Sequence, residues 1–96
     1  MIVKMHAAFK EWMSEQSDEI VRIVVERIER VKDGNFGDAK PIAGAKGIFE
    51  LRVRFGPGYR IYYSRRGREI VILLCGGIKS GQRRDIEKAK KLNEEV

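Results

Sequence analysis

A single cysteine, a single histidine and two prolines are all that this chain holds of those types. Cys75 has no second thiol for an intramolecular disulfide, and no companions at metal-ligand spacing. His6 stands alone, without the partners a histidine needs to act in catalysis, and reads as a surface or capping residue. No Asp/His constellation is present, which argues against metal-dependent nuclease chemistry; no metal or other cofactor is expected. An uninterrupted apolar run of 18 residues is also missing, so no membrane-spanning helix is expected. Lys10 and Glu11 break the apolar N-terminal stretch that a signal peptide would require. Repeats and low-complexity segments are absent. A single cytoplasmic domain over residues 1–96, with no membrane partner, is the expectation.

What is abundant is positive charge, and it is concentrated. The chain carries 20 Lys/Arg against 14 Asp/Glu, a formal charge of +6. Residues 46–84 hold ten Lys/Arg and two Glu, whereas the other 57 residues hold ten basic and twelve acidic side chains. A basic segment inside an otherwise slightly acidic domain fits an anionic partner.

That segment has a clear period. Phe49, Leu51, Val53 and Phe55 alternate with Glu50, Arg52 and Arg54, then Gly56-Pro57-Gly58 intervenes, and Tyr59, Ile61 and Tyr63 alternate with Arg60, Tyr62 and Ser64. Period-2 runs on either side of a Gly/Pro turn predict a hairpin. A three-residue loop would put Phe55 opposite Tyr59 and Arg54 opposite Arg60. One face would then be core, Phe55 included, and the other would present Arg52, Arg54, Arg60 and an exposed Tyr62. Like charges directly opposite on a sheet are destabilising, so an anion lying across this face is expected.

Around the hairpin, Ile2–Met5 reads as a short strand and Ala7–Ser14 as a short helix with Phe9, Trp12 and Met13 on one side. Residues 17–32 are the clearest helix. Ser17 is placed to cap it, Ile20, Ile23, Val24, Ile28 and Val31 form its stripe, Glu26 can pair with Arg30, and Gly34 ends it. The two helices are expected to form an antiparallel hairpin over the core face. Residues 35–47 read as a loop. The run Ile70–Leu74 predicts a strand buried on both faces, broken at Gly76-Gly77. A last helix follows from Lys79, with Ser80 as its cap and Lys88, Lys90 and Lys91 on a solvated side. The order (β)ααβββα gives an α+β fold: an antiparallel sheet with helices mainly on one face.

Arginine binds phosphate bidentately and keeps its charge, and tyrosine can stack on a base. RNA cleavage through its own 2′-hydroxyl needs a base, positive charge at the pentavalent phosphate, and an acid. Lys and Arg supply the charge. Glu50 lies on the polar face but is equally suited to pair with Arg52 or Arg65. Tyr62 or Lys79 could act as base if nearby cations lowered its pKa. Arg54, Tyr62, Lys46, Gln82 and Arg83 are the expected RNA contacts.

Three stretches, GNFGDAKPI at 34–42, ELRVRFGPGYRIYY at 50–63 and LLCGGIKSGQRRDIEKA at 73–89, together resemble the RelE/HigB-like toxins of type II toxin–antitoxin systems, most of all the short "addiction module killer" group. The resemblance implies a RelE-like fold and a metal-independent endoribonuclease that cuts mRNA in the ribosomal A site. It also implies a cognate antitoxin as partner, often of helix-turn-helix type. On the same resemblance Arg52, Arg60 and Lys79 fall on catalytic positions, Arg60 on the phosphate-binding arginine. RelE's C-terminal tyrosine has no counterpart; Ile86 or a neighbour stands there. Arg60→Ala is expected to abolish growth inhibition with the fold intact. The competing expectations are a ParE-like inhibitor of DNA gyrase and a catalytically degenerate RNA- or ribosome-binding protein.

Overall fold

The computed structural model describes residues 1–96. Its elements are β1 (Ile2–Met5), α1 (Ala7–Ser14), α2 (Asp18–Lys32), β2 (Ala39–Pro41), β3 (Ile48–Val53), β4 (Tyr59–Arg66), β5 (Ile70–Ile78) and, after one 3₁₀ turn at Lys79–Gly81, α3 (Gln82–Glu94). The five strands form one sheet in the order β1-β5-β4-β3-β2. The sheet is mixed, because β1 runs parallel to β5 while the other pairs are antiparallel. No helix is long and apolar enough to cross a membrane.

The caps of the long helix are where the residue types put them. The Ser17 hydroxyl accepts from the Ile20 amide, and Asp18 and Glu19 occupy the positive end of the helix dipole. His6 caps α1 in the same way, its Nδ1 accepting from the Ala8 amide at 2.9 Å. Glu26 pairs with Arg30. Ser80 caps nothing; Gly81 is the N-cap of α3, without a side-chain bond.

Two of the three helices lie on one face, as expected, but the other face is covered as well, which corrects the expectation that it is open. On the first face Phe9 of α1 and Ile20, Val24, Ile28 and Val31 of α2 pack on Leu51, Val53, Ile61, Tyr63, Val71 and Leu73. On the second face α3 closes over Tyr62, Leu74 and Cys75, with Ala89 letting the helix approach closely. Burying the Cys75 thiol pushes its pKa up to about 12. The native protein is therefore expected to resist iodoacetamide at pH 8, with labelling of Cys75 only in denaturant, as read by intact mass; rapid labelling of folded protein would contradict this burial.

Strand β5 does not break at Gly76-Gly77 but runs through them to Ile78. Tyr62 pairs with Cys75 and Tyr63 with Leu73, so Leu74 is an extra residue, a β-bulge. The bulge reverses the facing of everything beyond it. Gly76 consequently lies under the Trp12 ring of α1, and Gly77 lies under the Asp85 carboxylate of α3. A Cβ at Gly76 would stand 2.5 Å from the ring, and one at Gly77 would stand 1.9 Å from an Asp85 oxygen.

Candidate functional site

The β3–β4 hairpin is closed by five residues, Arg54–Gly58, rather than three. Gly56 and Gly58 take φ of +55° and +83°, conformations open to glycine, and this lifts Arg54 and Phe55 out of the ladder. The register therefore pairs Val53 with Tyr59, Arg52 with Arg60 and Leu51 with Ile61. It differs by two positions in total from the expected one, so every side chain within the ladder keeps its face. The like charges set directly opposite are Arg52 and Arg60, not Arg54 and Arg60.

Two carboxylates offset that repulsion from within the chain. Glu50 is only 1% exposed, and its Oε2 accepts from Arg60 Nε and from Gln82 Nε2, each at 3.1 Å. Lys40 Nζ stands 3.6 Å from its other oxygen. Asp38 receives Arg54 Nε at 2.9 Å and lies 3.5 Å from Arg52 Nε. The hydrogen bond from Arg54, with the charge of Arg52 behind it, holds Asp38 below the usual carboxylate range. Glu50 had been expected to pair with Arg52 or Arg65; its partner is Arg60. Asp38 was not singled out from the sequence at all, since nothing in a loop aspartate announces two arginines fourteen and sixteen residues on.

Past the end of β3 these elements enclose an open hollow of about 390 Å³, lined by Arg52, Arg54, Phe55, Tyr59, Arg60 and Lys79 along with the Gly56-Pro57-Gly58 turn. The turn fixes the last cation as well as the first ones. The Lys79 amide donates to the Gly58 carbonyl at 2.8 Å, and a Cβ at Gly58 would be within 3.6–3.8 Å of Lys79 Cβ and Arg60 Nη1. Arg60 is 8% exposed. Its Nε is committed to Glu50, whereas its Nη groups make no hydrogen bond within the protein. Lys79 is exposed and has no acidic partner within 4 Å. Four cations thus converge on one concavity with two carboxylates set at its margins, an arrangement suited to a phosphate.

The three expected catalytic residues, Arg52, Arg60 and Lys79, are brought together, and Arg54 joins them. Four expected RNA contacts are not. Tyr62 is fully buried beneath α3, with its hydroxyl unpartnered, and burial together with the Asp85 and Glu50 carboxylates raises its pKa. It can neither stack on a base nor accept a proton at neutral pH. Gln82 is turned inward onto Glu50. Arg83 is exposed but lies on a separate surface with Ser80, Arg84 and Glu87. Lys46 precedes β3, while the hollow follows it, and a strand of this length separates the two by roughly 20 Å.

The family model described as "Phage derived protein Gp49-like (DUF891)" matches residues 11–94. The chain belongs to this family. A curated relative, an uncharacterized protein of Haemophilus influenzae, is 42% identical to this Gp49-like chain over 95 residues, 98% of the chain and 94% of the relative. Among solved structures, the RelBE2 toxin–antitoxin complex of Mycobacterium tuberculosis matches with a TM-score of 0.64 at 20% identity, covering 81% of this chain and 96% of that one. The intact E. coli RelBE complex matches at 0.65 and 11% identity, covering 80% and 94%. A mutant of the E. coli toxin RelE in the free state matches at 0.59 and 17% identity, covering 96% and 95%. The Gp49-like chain therefore has the RelE toxin fold, as the motif resemblance implied.

Proposed function

We propose that this Gp49-like protein is the toxin of a type II toxin–antitoxin pair and acts in the cytoplasm as a ribosome-dependent mRNA endoribonuclease. The observation that carries the reading is the convergence of Arg52, Arg54, Arg60 and Lys79 on one solvent-open hollow. In it the scissile phosphate is held by the free Nη groups of Arg60 and by Lys79. Their charge stabilises the additional negative charge that develops when the 2′-oxygen attacks phosphorus. Arg52 and Arg54, oriented by Asp38, hold the neighbouring phosphates. The role given to the chain is electrostatic. Glu50 is buried and engaged and Tyr62 is covered, which removes both as general base. The family resemblance and the RelE fold supply the rest of the reading: the ribosome as platform, mRNA as substrate, and an antitoxin, of helix-turn-helix type, that silences the protein.

Lys79 gives the cleaner test because it is exposed and unpaired, so its loss does not disturb the fold. Wild type on programmed ribosomes, with ends mapped by primer extension, is expected to cut within the A-site codon and only when ribosomes are present. Lys79→Ala is expected to cut roughly 10²-fold more slowly, the scale for losing one preorganised donor, with an unchanged urea midpoint. Equal cutting by the variant would remove the phosphate site. No cutting by wild type, together with inhibition of DNA gyrase, would replace the reading with the ParE-like one.

A further inference from the structure

Eight aromatic side chains are present, and seven of them belong to the two apolar clusters: Phe9, Trp12, Phe36, Phe49, Tyr59 and Tyr63 on one face of the sheet and Tyr62 on the other. Phe55 belongs to neither. It is 40% exposed, makes no ring–ring contact, and no arginine lies over it. The alternation of β3 would have made it a core residue. The five-residue turn instead carries it out of the sheet and into the wall of the cationic hollow. There it is held from both sides. Its amide donates to the Val53 carbonyl and its carbonyl accepts from the Gly58 amide, each at 3.0 Å. The same Gly58 fixes the Lys79 main chain through its carbonyl, so the backbones that carry the ring and the cation share one support.

We propose that Phe55 is the base-stacking residue of this site, positioning one nucleotide of a single-stranded substrate beside the phosphate that the cations bind. An exposed ring alone would mean little. An exposed ring on a hydrogen-bonded turn, lining the same hollow as a cluster of cations, is the combination by which single-stranded nucleic acid is held, with charge on the backbone and a π-face on the base. Phenylalanine offers no hydrogen bond, so the contact tolerates any base. It acts by holding the nucleotide still rather than by reading it. Its place beside the phosphate makes it a positioning residue for cleavage, and the inference rests on the reading of the hollow as an RNA site.

The test uses ribosomes programmed with mRNA whose A-site codon is 2′-O-methylated and so cannot be cut. Binding of wild type and Phe55→Ala is compared on intact codons and on codons carrying an abasic site at each position in turn. One abasic position is expected to weaken wild type roughly 5- to 100-fold and to leave Phe55→Ala unaffected, because the two changes remove the same contact. Phe55→Leu, equally apolar, should behave as Phe55→Ala, and Phe55→Tyr as wild type, both in binding and in cleavage of unmodified mRNA. Additive losses from ring and base, or wild-type behaviour in Phe55→Leu, would overturn the stacking role while leaving the cleavage reading in place. Failure of wild type to bind programmed ribosomes would overturn both. An unaltered RNA series combined with weaker antitoxin binding by Phe55→Ala would reassign the ring to a protein contact.

Discussion

Arg60→Ala is expected to lower the stability of the folded chain by about 3–5 kcal/mol, in addition to removing cleavage. Glu50 is buried against Arg60 in a sheet covered by α3, and removal of the arginine strands a carboxylate there. Lys40 and Gln82 remain near it, but Lys40 is solvated and 3.6 Å away, and Gln82 is neutral. For a domain of this size the loss corresponds to a fall in Tm of at least about 12 °C. The expectation that this variant keeps its fold, reasonable for an arginine on an open polar face, is therefore withdrawn. A growth assay on Arg60→Ala alone would confuse an absent site with an absent protein. The second half of a double-mutant cycle separates them. Glu50→Leu/Arg60→Ala replaces the stranded charge with an apolar side chain of similar size, and is expected to recover most of the lost stability while cleavage stays absent. Urea denaturation followed by circular dichroism, paired with the ribosome assay, reads both quantities. If Arg60→Ala unfolds at the wild-type midpoint, Glu50 is satisfied without its arginine and the buried pair has no structural role.

The second large effect concerns neighbouring glycines that differ in what lies over them. Gly76→Ala is expected to cost about 2–3 kcal/mol, and Gly77→Ala less than half as much. Overpacking in a filled site costs typically 1–3 kcal/mol, and the cost depends on whether the neighbour can yield. Over Gly76 the neighbour is the Trp12 ring, a large rigid group packed against Phe9 at 5.8 Å and Tyr59 at 6.4 Å between centroids, so it yields only by giving up those contacts. Over Gly77 the neighbour is the end of a short side chain at the margin of α3, and Asp85 can rotate toward Arg84 and Lys88. Chemical denaturation of the two single variants gives the comparison. Restoration of Gly76→Ala by Trp12→Leu would show that the ring is the obstacle. Equal costs at the two positions would show that backbone flexibility, not the ring, is what the glycines provide.

How far these features could be read from the sequence differs by kind. The alternation from Phe49 to Tyr63 assigned each ladder side chain to its face, and it survived a wrong loop length because the correct register differs by an even number. The stripe and caps of α2 were equally plain. The cover of α3 was not. That helix offers Ile86, Ala89 and Leu92 among ten charged or polar residues, too thin a stripe to announce a second core. Without it, Tyr62 among arginines reads as a surface residue. The bulge at Leu74 was invisible because it falls inside a uniformly apolar run, where a change of phase breaks no pattern. The site was legible in its charges and illegible in its counter-charges: Glu50 and Asp38 acquire meaning only when partners distant in the chain arrive beside them.

The parallel pairing of β1 with β5 also governs when the protein comes into being. Ile2 lies beside Ile70, and β4, the middle strand, has its second partner only once residues 70–78 exist. A nascent chain therefore holds its first strand unpaired until residues 70–73 have been made. Such non-local pairings are late and slow to close. Lys79, the last cation of the hollow, is delivered by the residue that follows the closing strand. Folded sheet and assembled hollow are thus completed together, only once β5 and the residue that follows it have joined the fold.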